Sequence, residues 1–293
     1  MLEKINTEKR NIRSMNLDSM SVLEAVKLMI DEEVNVIKAL ESQQVNISKA
    51  IEKTTNALRN GGRIIYIGAG TSGRLGILDA VECPPTFGVD YNTVIGLIAG
   101  GEEAFIKAQE GVEDIAEAAE KDLKDINVNS KDVVIGLAAS GRTPYVIGGL
   151  RYANSIGADT IAISCSGNAE ISKEASLAIE AISGPEVLTG STRLKAGTTQ
   201  KLILNMISTL SMVSIGKVYQ NLMVDVKPSN NKLVERAKRI IIEATGVSYS
   251  TAEQAYEKAG KSVKTAIVMI LNDCDYAQAL AILSKNNNFI VKK

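Results

Sequence analysis

The N-terminal part of the chain carries apolar side chains at helical spacing. Residues 1–16 are a polar arm. Ser21 and Glu24 then form an S-x-x-E pattern, the signature of a capping box, ahead of an apolar-periodic stretch. A second periodic stretch covers residues 46–60 and stops at residues 61–62, both glycine, which favour a helix C-terminus. The pattern therefore predicts mostly helical structure before the first strand.

From residue 64 the apolar positions fall into short β-rich runs. Helical patterns separate the first four runs, which is the βαβ arrangement of a parallel sheet. Their nearly continuous apolar character is typical of strands covered by helices on both faces. The predicted strands are residues 64–67, 94–98, 133–137, 160–163 and 178–182. We therefore predict an α/β fold, a three-layer αβα sandwich with a parallel sheet.

The apolar pattern changes twice more towards the C-terminus. Residues 197–223 are apolar nearly all round a helix, which predicts a helix buried in the core or in a dimer interface. After residues 228–230, Pro-Ser-Asn, the sequence predicts three or four short helices, one opened by a capping box of Ser250 and Glu253. The predicted organisation is an N-terminal helical segment over residues 1–60, an α/β domain over residues 61–230 and a small helical domain over residues 231–293.

The charge balance gives no case for a nucleic-acid partner. The chain has 33 basic and 34 acidic residues, a formal charge of −1, and no basic stripe. The first residues are charged and lack the apolar region of a secretory signal. No apolar run reaches the ~18 residues that a membrane span needs. We expect neither a nucleic-acid nor a membrane partner, and an anionic ligand must be held by a local site.

Missing residue types narrow the possible chemistry. The chain has no histidine and no tryptophan. A general acid or base must therefore be Glu, Asp, Lys, Tyr or Cys, and Ser-His or Cys-His nucleophile machinery is excluded. The 3 cysteines are widely spaced and form no CxxC pair, which favours reduced thiols in the cytoplasm over a disulfide framework or a zinc site. We expect no metal.

A glycine-rich loop follows the first predicted strand and opens a helix. Its sequence, GAGTSG over residues 68–73, permits a tight turn, and the helix N-terminus attracts an anion. The pattern matches GxGxxG, so a dinucleotide site is an alternative. Against it, residues 98–101 end the second strand without the acid that holds a ribose, while Thr71 and Ser72 offer hydroxyls suited to a terminal phosphate. A plain glycine turn with capping hydroxyls is the simpler alternative.

A second loop of this kind follows the third predicted strand. Residues 138–144 read AASGRTP, and Pro144 suits a first helical turn. This places Ser140, Arg142 and Thr143 where a helix N-terminus collects an anion. Loops at the carboxyl ends of parallel strands form the ligand crevice of such a sheet. The two loops together therefore predict one phosphate site, with a plain surface role as the alternative for Arg142.

At these residues the chain resembles a known family. The pair GAGTSG and ASGRTP resembles the sugar isomerase domain, whose strand-end Ser and Thr loops hold a phosphosugar. Within that superfamily, GAGTSGRLGILDAVECPPTFG, residues 68–88, is similar to the signature of N-acetylmuramic acid 6-phosphate etherases. Further matching segments cover nearly the whole chain, among them GPEVLTGSTRLKAG at residues 184–197. The resemblance assigns the α/β domain as a sugar isomerase domain.

The resemblance implies a lyase that cleaves the D-lactyl ether of N-acetylmuramic acid 6-phosphate and needs no cofactor. It implies two catalytic glutamates, Glu82 as the acid that aids lactate release and Glu113 as the base that removes the C2 proton. From the residues themselves, Glu82 ends a helix before residues 84–85, both proline, which stop it. Glu113 is expected in a helix crowded with acids. A solvated acid is the alternative for both.

The same resemblance implies the residues that hold the phosphosugar. Glu186, in a turn after a strand, is expected to contact sugar hydroxyls, and Lys195 either lines the ligand or pairs with a carboxylate. Related phosphosugar domains pair with one another, so a homodimer is expected. The predicted substrate-binding residues are Thr71, Ser72, Gly73, Ser140, Gly141, Arg142, Thr143, Glu186 and Lys195.

Two other functions share these phosphate loops. An aldose–ketose phosphosugar isomerase has the same fold and the same proton abstraction at C2. A non-catalytic phosphosugar sensor, like the glucokinase regulatory protein that this family resembles, keeps the loops without needing both glutamates. The presence of Glu82 and Glu113 favours the etherase reaction. A dinucleotide enzyme is the most distant alternative.

Overall fold

The computed structural model describes residues 6–226 and 231–292, which form two compact units. The first unit takes in the chain as far as Val81 together with Asn92–Ser208. The second takes in Glu82–Tyr91 and the chain from Thr209 onward. Residues 228–230, where the sequence changes character, lie outside the described residues. The domain boundaries predicted after residues 60 and 230 stay predictions.

A five-stranded parallel sheet forms the centre of the first unit. Its strands are β1 (Ile64–Gly68), β2 (Val94–Ile98), β3 (Val133–Leu137), β4 (Asp159–Ser164) and β5 (Leu177–Glu180). Their order is β2-β1-β3-β4-β5, and all neighbours pair in parallel. β1 and β3 are buried along their whole length, as strands flanked by helices must be. The predicted parallel sheet is confirmed, although β5 ends two residues earlier than predicted.

Helices flank this sheet, and two of them precede it. The helices that lie wholly or partly in the first unit are α1 (Val22–Ser42), α2 (Gln44–Arg59), α3 (Gly70–Phe87), α4 (Gly101–Ile106), α5 (Ala116–Asp125), α6 (Pro144–Ser155), α7 (Glu170–Lys173) and α8 (Lys195–Ser214). Glu24 N donates to Ser21 Oγ at 3.3 Å, and Ser21 N donates to the Glu24 carboxylate at 2.8 Å. The predicted capping box at the start of α1 is therefore confirmed.

The second unit is mainly helical in its described part. It contains the antiparallel pair β6 (Val218–Tyr219) and β7 (Leu222–Met223), followed by α9 (Asn231–Thr245), α10 (Tyr249–Lys258), α11 (Val263–Asn272) and α12 (Tyr276–Lys285). Ile241, Tyr256 and Ile267 lie in its apolar core. The predicted C-terminal helical region is confirmed. Among the described residues no single helix is long and apolar enough to cross a membrane, and α11 with α12 meets that test only as a pair bent by 99°.

The apolar segment over residues 197–223 is not one helix, and that prediction was wrong in its second half. α8 ends at Ser214, and Gly216 follows in the left-handed region at φ 80°. Lys217 N turns back to donate to Met212 O at 3.0 Å, which closes the helix end as in a Schellman motif. Apolar composition alone did not show this stop, because the residues of β6 and β7 are as apolar as the helix.

Two further predictions about helix ends need correction. Residues 84–85 do not stop α3, which runs through both prolines to Phe87 and ends before Gly88 at φ 63°. A proline has a helical φ, so the chain stays helical through both residues although each removes a backbone hydrogen bond. At α10, Ser248 is the N-cap and accepts from Thr251 N at 3.2 Å, so Ser250 lies inside the helix. Serine is a favoured N-cap residue at either position, and the S-x-x-E pattern selected Ser250 when Ser248 is the cap.

A buried carboxylate joins three elements of the first unit. Asp79 on α3 accepts hydrogen bonds from Tyr66 on β1 at 2.9 Å, and from Asn205 and Ser208 on α8 at 2.8 and 3.1 Å. Burial raises the pKa of Asp79, and these donors lower it only in part. The paired carboxylate therefore holds α8 and α3 in a fixed register on the sheet.

The start of α8 rests on two more buried carboxylates. Glu186, with no exposed surface, accepts from Lys195 N at 3.0 Å and from Ala196 N at 2.9 Å, so it caps the first turn. Burial raises the pKa of Glu186 despite these two donors. The Lys195 ammonium is also buried and donates to Glu32 of α1 at 2.5 Å. Asn11 and Arg13 donate to the same Glu32 carboxylate at 2.8 and 2.9 Å.

These contacts bear on two predicted substrate contacts, which stay predictions. Both Glu186 oxygens are taken by backbone N–H groups, so a contact with sugar hydroxyls would require the carboxylate to leave its buried cap. For Lys195, the structure shows the second of the two alternatives, pairing with a carboxylate. The sequence could not identify Glu32 as its partner, because 163 residues separate the two.

We expect Lys195→Met to lower the free energy of unfolding by about 3 kcal/mol, because it leaves a buried carboxylate without its closest cation. Urea unfolding at pH 7 measures this. Lys124→Met is the matched control, since Lys124 pairs with Glu120 on the surface of α5 and should change stability little. A stable Lys195→Met protein with a raised KM would instead assign Lys195 to substrate binding.

The loss of unfolding free energy in Lys195→Met should depend on pH. Burial raises the pKa of Glu32, but hydrogen bonds from Lys195, Asn11 and Arg13 outweigh it, and the pKa lies below its usual 4.5. A group with a lowered folded pKa adds stability above its unfolded pKa and loses it as the pH falls through the folded pKa. The difference between wild type and Lys195→Met should therefore shrink as the pH falls below 4.5 and through the lowered folded pKa of Glu32. An equal difference at pH 7 and pH 3 would contradict a charge effect.

Candidate active site

The two predicted phosphate loops, residues 68–73 and 138–144, leave neighbouring strands at the same edge of the sheet. β1 and β3 pair in parallel, with Gly68 opposite Leu137 at their carboxyl ends. From β1 the chain passes through α3 to β2 on one side, and from β3 it passes through α6 to β4 on the other. The strand order therefore reverses between β1 and β3, which is where open α/β sheets hold their ligands.

The first loop depends on the absence of side chains at two positions. A Cβ on Gly68 would lie 2.8 Å from Gly73 N, and a Cβ on Gly73 would lie 2.6 Å from Ile98 Cγ1. Gly70 has φ 53°, a left-handed conformation that favours glycine. Gly73 N already donates to Ala69 O, so the N–H groups without an intrahelical partner lie before it. The tight loop thus places the N-terminus of α3 at the carboxyl ends of β1 and β3, where the strand order reverses.

The hydroxyls of this loop differ in their surroundings. Thr71 is half-buried, whereas Ser72 is 7% exposed and donates from Oγ to Gln200 Oε1 at 2.8 Å. Gln200 lies one turn into α8 and was not among the predicted site residues. No local sequence signal pairs the two, because 128 residues separate them.

The second loop is a tight turn in front of α6. Gly141 has φ 77° and donates to Ala138 O at 2.9 Å, and a Cβ there would collide with Ala169. Thr143 is the N-cap of α6, but its side chain makes no capping hydrogen bond. Its hydroxyl therefore remains available to an anion at the helix N-terminus.

Arg142 and Ser140 are partly exposed beside this turn. Arg142 Nε lies 3.6 Å from the carboxylate of Glu170, with both side chains partly exposed. Exposed pairs at this distance contribute little, so Glu170 does not commit Arg142 to a structural role. Ser140 is half-buried at the end of β3. Both residues stay predicted phosphate contacts.

A small cavity connects the first loop with Glu113. Its volume is about 180 Å³, and its wall is formed by Ala69, Gly70, Arg74, Ala99, Ala104, Ala108, Gln109, Glu110, Gly111, Val112 and Glu113. Glu113 does not lie in a long helix as predicted. It lies in the single 3-10 turn Val112–Asp114, opened by Gly111 at φ 78°. The glycine turns the chain back, so the acid-rich sequence does not continue one helix.

Arg74 is a cavity residue that the sequence did not single out. It donates from Nε to Phe105 O at 2.9 Å and from Nη2 to Ala104 O at 2.7 Å. These carbonyls end α4, where a cation also complements the helix dipole. Arg74 therefore fixes one wall of the cavity against α3. The position of Arg74 directly after GAGTSG was the sequence feature that could have identified it as a site residue.

Glu82 is exposed on α3 and belongs to the second unit. Its pairing with Glu113 stays a prediction. Among the described residues, no group of three or more Cys, Asp or Glu side chains is placed to hold a metal ion. The expectation of a metal-free site stays a prediction as well.

Comparison with known proteins places this geometry in a family. Residues 46–154 match the family described as "Glucokinase regulatory protein N-terminal SIS domain", and residues 102–210 match "SIS domain". A phosphoheptose isomerase from Francisella tularensis has a similar structure, with a TM-score of 0.52 and 14% identity over 66% of this chain and 100% of that chain. This likeness confirms the predicted sugar isomerase fold.

Relatives with much higher identity cover the whole chain. An "N-acetylmuramic acid 6-phosphate etherase" from Francisella tularensis subsp. tularensis (strain SCHU S4 / Schu 4) is 74% identical over 290 residues, 99% of both chains. One of the same name from Bacillus cereus (strain AH187) is 60% identical over 292 residues, 100% of this chain and 99% of the relative. The chain therefore belongs to the N-acetylmuramic acid 6-phosphate etherase family.

Proposed function

We propose that this enzyme cleaves the D-lactyl ether bond of N-acetylmuramic acid 6-phosphate to give N-acetylglucosamine 6-phosphate and D-lactate, in the recycling of cell-wall amino sugars. The observation that carries the proposal is the full-length identity with relatives that bear this name. The hydroxyl-bearing loops at the strand-order reversal support it. The cytoplasm is the proposed location, because Cys83, Cys165 and Cys274 form no disulfide, as is usual in a reducing compartment.

The reaction is an elimination followed by the addition of water. Opening of the sugar ring exposes an aldehyde at C1, which acidifies the C2 proton. A base removes this proton, the bond from C3 to the ether oxygen breaks, and lactate leaves with a proton from an acid. Water then adds across the double bond between C2 and C3. A positioned acid or base typically contributes about 10²–10⁴-fold to such steps.

We assign the base to Glu113 and the acid to Glu82. Glu113 lines the cavity that the first phosphate loop also lines, which suits a group that must reach C2 of a phosphate-anchored sugar. Its exposure leaves the carboxylate free to approach a substrate. For Glu82, the family resemblance supports the assignment, and its exposed place on α3 is compatible with contact to a ligand.

We assign the phosphate to the N-termini of α3 and α6. Both helices begin at glycine turns next to strands that pair directly. Oriented N–H groups and hydroxyls at such positions bind anions. The proposed contacts are Thr71, Ser72, Gly73, Ser140, Gly141, Arg142 and Thr143. Glu186 and Lys195 stay predicted contacts of the sugar, although in the described structure their charged groups make hydrogen bonds at the start of α8.

Incubation of the purified enzyme with N-acetylmuramic acid 6-phosphate tests the function. We expect equal amounts of D-lactate and N-acetylglucosamine 6-phosphate, measured by enzymatic lactate assay and mass spectrometry. Conversion of an aldose phosphate to a ketose phosphate without lactate would identify an isomerase. Saturable binding of the sugar phosphate with no turnover would identify a sensor.

Isotope exchange separates the roles of the two glutamates. In deuterium oxide, wild type should give product labelled at C2, because rehydration reprotonates that carbon. Glu82→Gln should still exchange the C2 proton of the substrate while releasing lactate at least about 10²-fold more slowly. Glu113→Gln should lose both exchange and elimination, since the chain has no histidine to replace the base.

Mass spectrometry of recovered substrate and the lactate assay report these two steps. Glu117→Gln is the matched control, because Glu117 is an exposed acid of α5 outside the cavity wall and should keep full activity. Exchange that survives in Glu113→Gln and vanishes in Glu82→Gln would reverse the two roles. Normal lactate release by both variants would remove both glutamates from the mechanism.

We also propose that two copies of the chain form a homodimer through α1. The apolar part of α8 is largely buried within its own chain, so it does not supply the expected interface. α1 instead leaves a row of large apolar side chains uncovered at helical spacing: Val22, Leu23, Val26, Met29, Ile30, Val34 and Ile37. A contiguous apolar face of this length is typical of a surface that another protein covers.

Light scattering at micromolar concentration tests the dimer. Wild type should have twice the chain mass of 31.3 kDa, and Ile30→Glu combined with Val34→Glu should have the monomer mass. These side chains are 65% and 54% exposed, so the charges should not unfold the monomer. Tyr91→Glu, at a 75% exposed position outside the row, should leave the dimer intact. A monomeric wild type, or a double variant that stays dimeric, would contradict the proposal.

A further inference from the structure

The Ser72 hydroxyl of the first phosphate loop already has a partner. It donates to Gln200 Oε1 at 2.8 Å, and both residues are buried. A serine hydroxyl has one proton to donate. While Ser72 donates this proton to Gln200 Oε1, it cannot donate it to a phosphate. The described state of the loop therefore conflicts with the role that the loop is proposed to play.

Gln200 carries a second unusual feature. Its side chain is 1% exposed, and its Nε2 has no hydrogen-bond partner among the residues that the structure describes. A buried donor without an acceptor is costly, and such groups are rare in folded proteins. In this orientation the amide accepts from Ser72 through its oxygen and leaves its own donor without a partner among the described residues.

Reversal of the amide removes the conflict. A half-turn about the last side-chain bond exchanges the oxygen and the nitrogen of Gln200. Nε2 then donates to Ser72 Oγ, which retains lone pairs to accept it. The Ser72 proton is released and can be donated to an oxygen atom of the phosphate. A hydrogen bond to a charged acceptor is stronger than one to a neutral amide.

Resting on the proposed function, we infer that Gln200 is a positioning residue that sets the direction of the Ser72 hydroxyl. In the described arrangement Ser72 donates to Gln200 Oε1. When the phosphate of the substrate binds, the amide reverses, Gln200 Nε2 donates to Ser72 Oγ, and Ser72 donates to the phosphate. Gln200 does not touch the substrate. The step moves hydrogen bonds only, and no covalent bond forms or breaks.

Gln200→Glu tests this role. A carboxylate can only accept a hydrogen bond, so the Ser72 hydroxyl continues to donate to residue 200 and not to the phosphate. We expect the dissociation constant of N-acetylglucosamine 6-phosphate, measured by calorimetry, to rise at least about tenfold. In turnover the KM should rise while kcat stays within about threefold, because only phosphate anchoring is lost. Gln200→Met, which releases the Ser72 proton without adding a charge, should lose less affinity. Gln254→Glu, at an exposed site on α10, is the control and should bind as wild type does.

The sharper measurement is the coupling between the two residues. Ser72→Ala should weaken binding at least about tenfold in wild type. In the Gln200→Glu background the same change should cost less than about threefold, because the hydroxyl no longer reaches the phosphate. An equal cost in both backgrounds would overturn the inference. A role of Gln200 in packing alone predicts that equality.

A spectroscopic measurement covers the case in which Gln200→Glu does not fold. In wild type labelled with [¹⁵N]glutamine, the side-chain amide signal absent from Gln200→Met belongs to Gln200. N-acetylglucosamine 6-phosphate should shift this signal in wild type and leave it in place in Ser72→Ala. A signal that does not respond in wild type overturns the inference. Binding without lactate release would overturn the proposed reaction alone, and active enzyme without coupling would overturn the role of Gln200 alone.

Discussion

The close approach of backbone at the turn from β1 to α3 is the constraint on which the site depends. Gly68 and Gly73 come so near each other and Ile98 that a side chain on either would force the turn apart. Because the turn is tight, α3 starts directly at the edge of the sheet, beside the loop that leaves β3. The same start brings Ser72 to Gln200 and Arg74 to the end of α4. One backbone approach thus supplies the helix end to which the phosphate is assigned and one wall of the cavity.

The position of α8 rests on charges that are expensive to bury. Asp79 ties this helix to α3, and Glu32 ties it to α1. Glu186 caps its first turn, and each of the three carboxylates accepts several hydrogen bonds. A buried carboxylate is tolerated only while these partners stay in place, so the three sites specify one register more strictly than apolar packing does. Gln200 lies between them along α8. Its distance to Ser72 is therefore set by structural carboxylates and not by the ligand.

The sequence predicted what depends on local pattern. The parallel sheet, the capping box of α1 and the two glycine turns at the strand ends follow from apolar period, helix-cap chemistry and glycine spacing. Errors arose where neighbouring residues offered equal choices, as with Ser248 and Ser250, or where one glycine ended a helix, as at Gly216 and Gly111. The partners of Lys195 and Ser72 could not be predicted, because tertiary packing alone brings residues so far apart in sequence together.

The pairing of a serine with a glutamine explains how a buried hydroxyl can serve an anion that is present only part of the time. Both groups donate and accept, so their hydrogen bond can run in either direction after one amide rotation. A carboxylate or an ammonium at position 200 would fix the direction permanently. Because Ser72 and Gln200 are shielded from solvent, the hydrogen bond between them lies in a buried environment, where it is stronger than it would be in water. In the described arrangement Nε2 has no partner among the described residues, and reversal of the amide gives it Ser72 Oγ as an acceptor while Oε1 takes its former position.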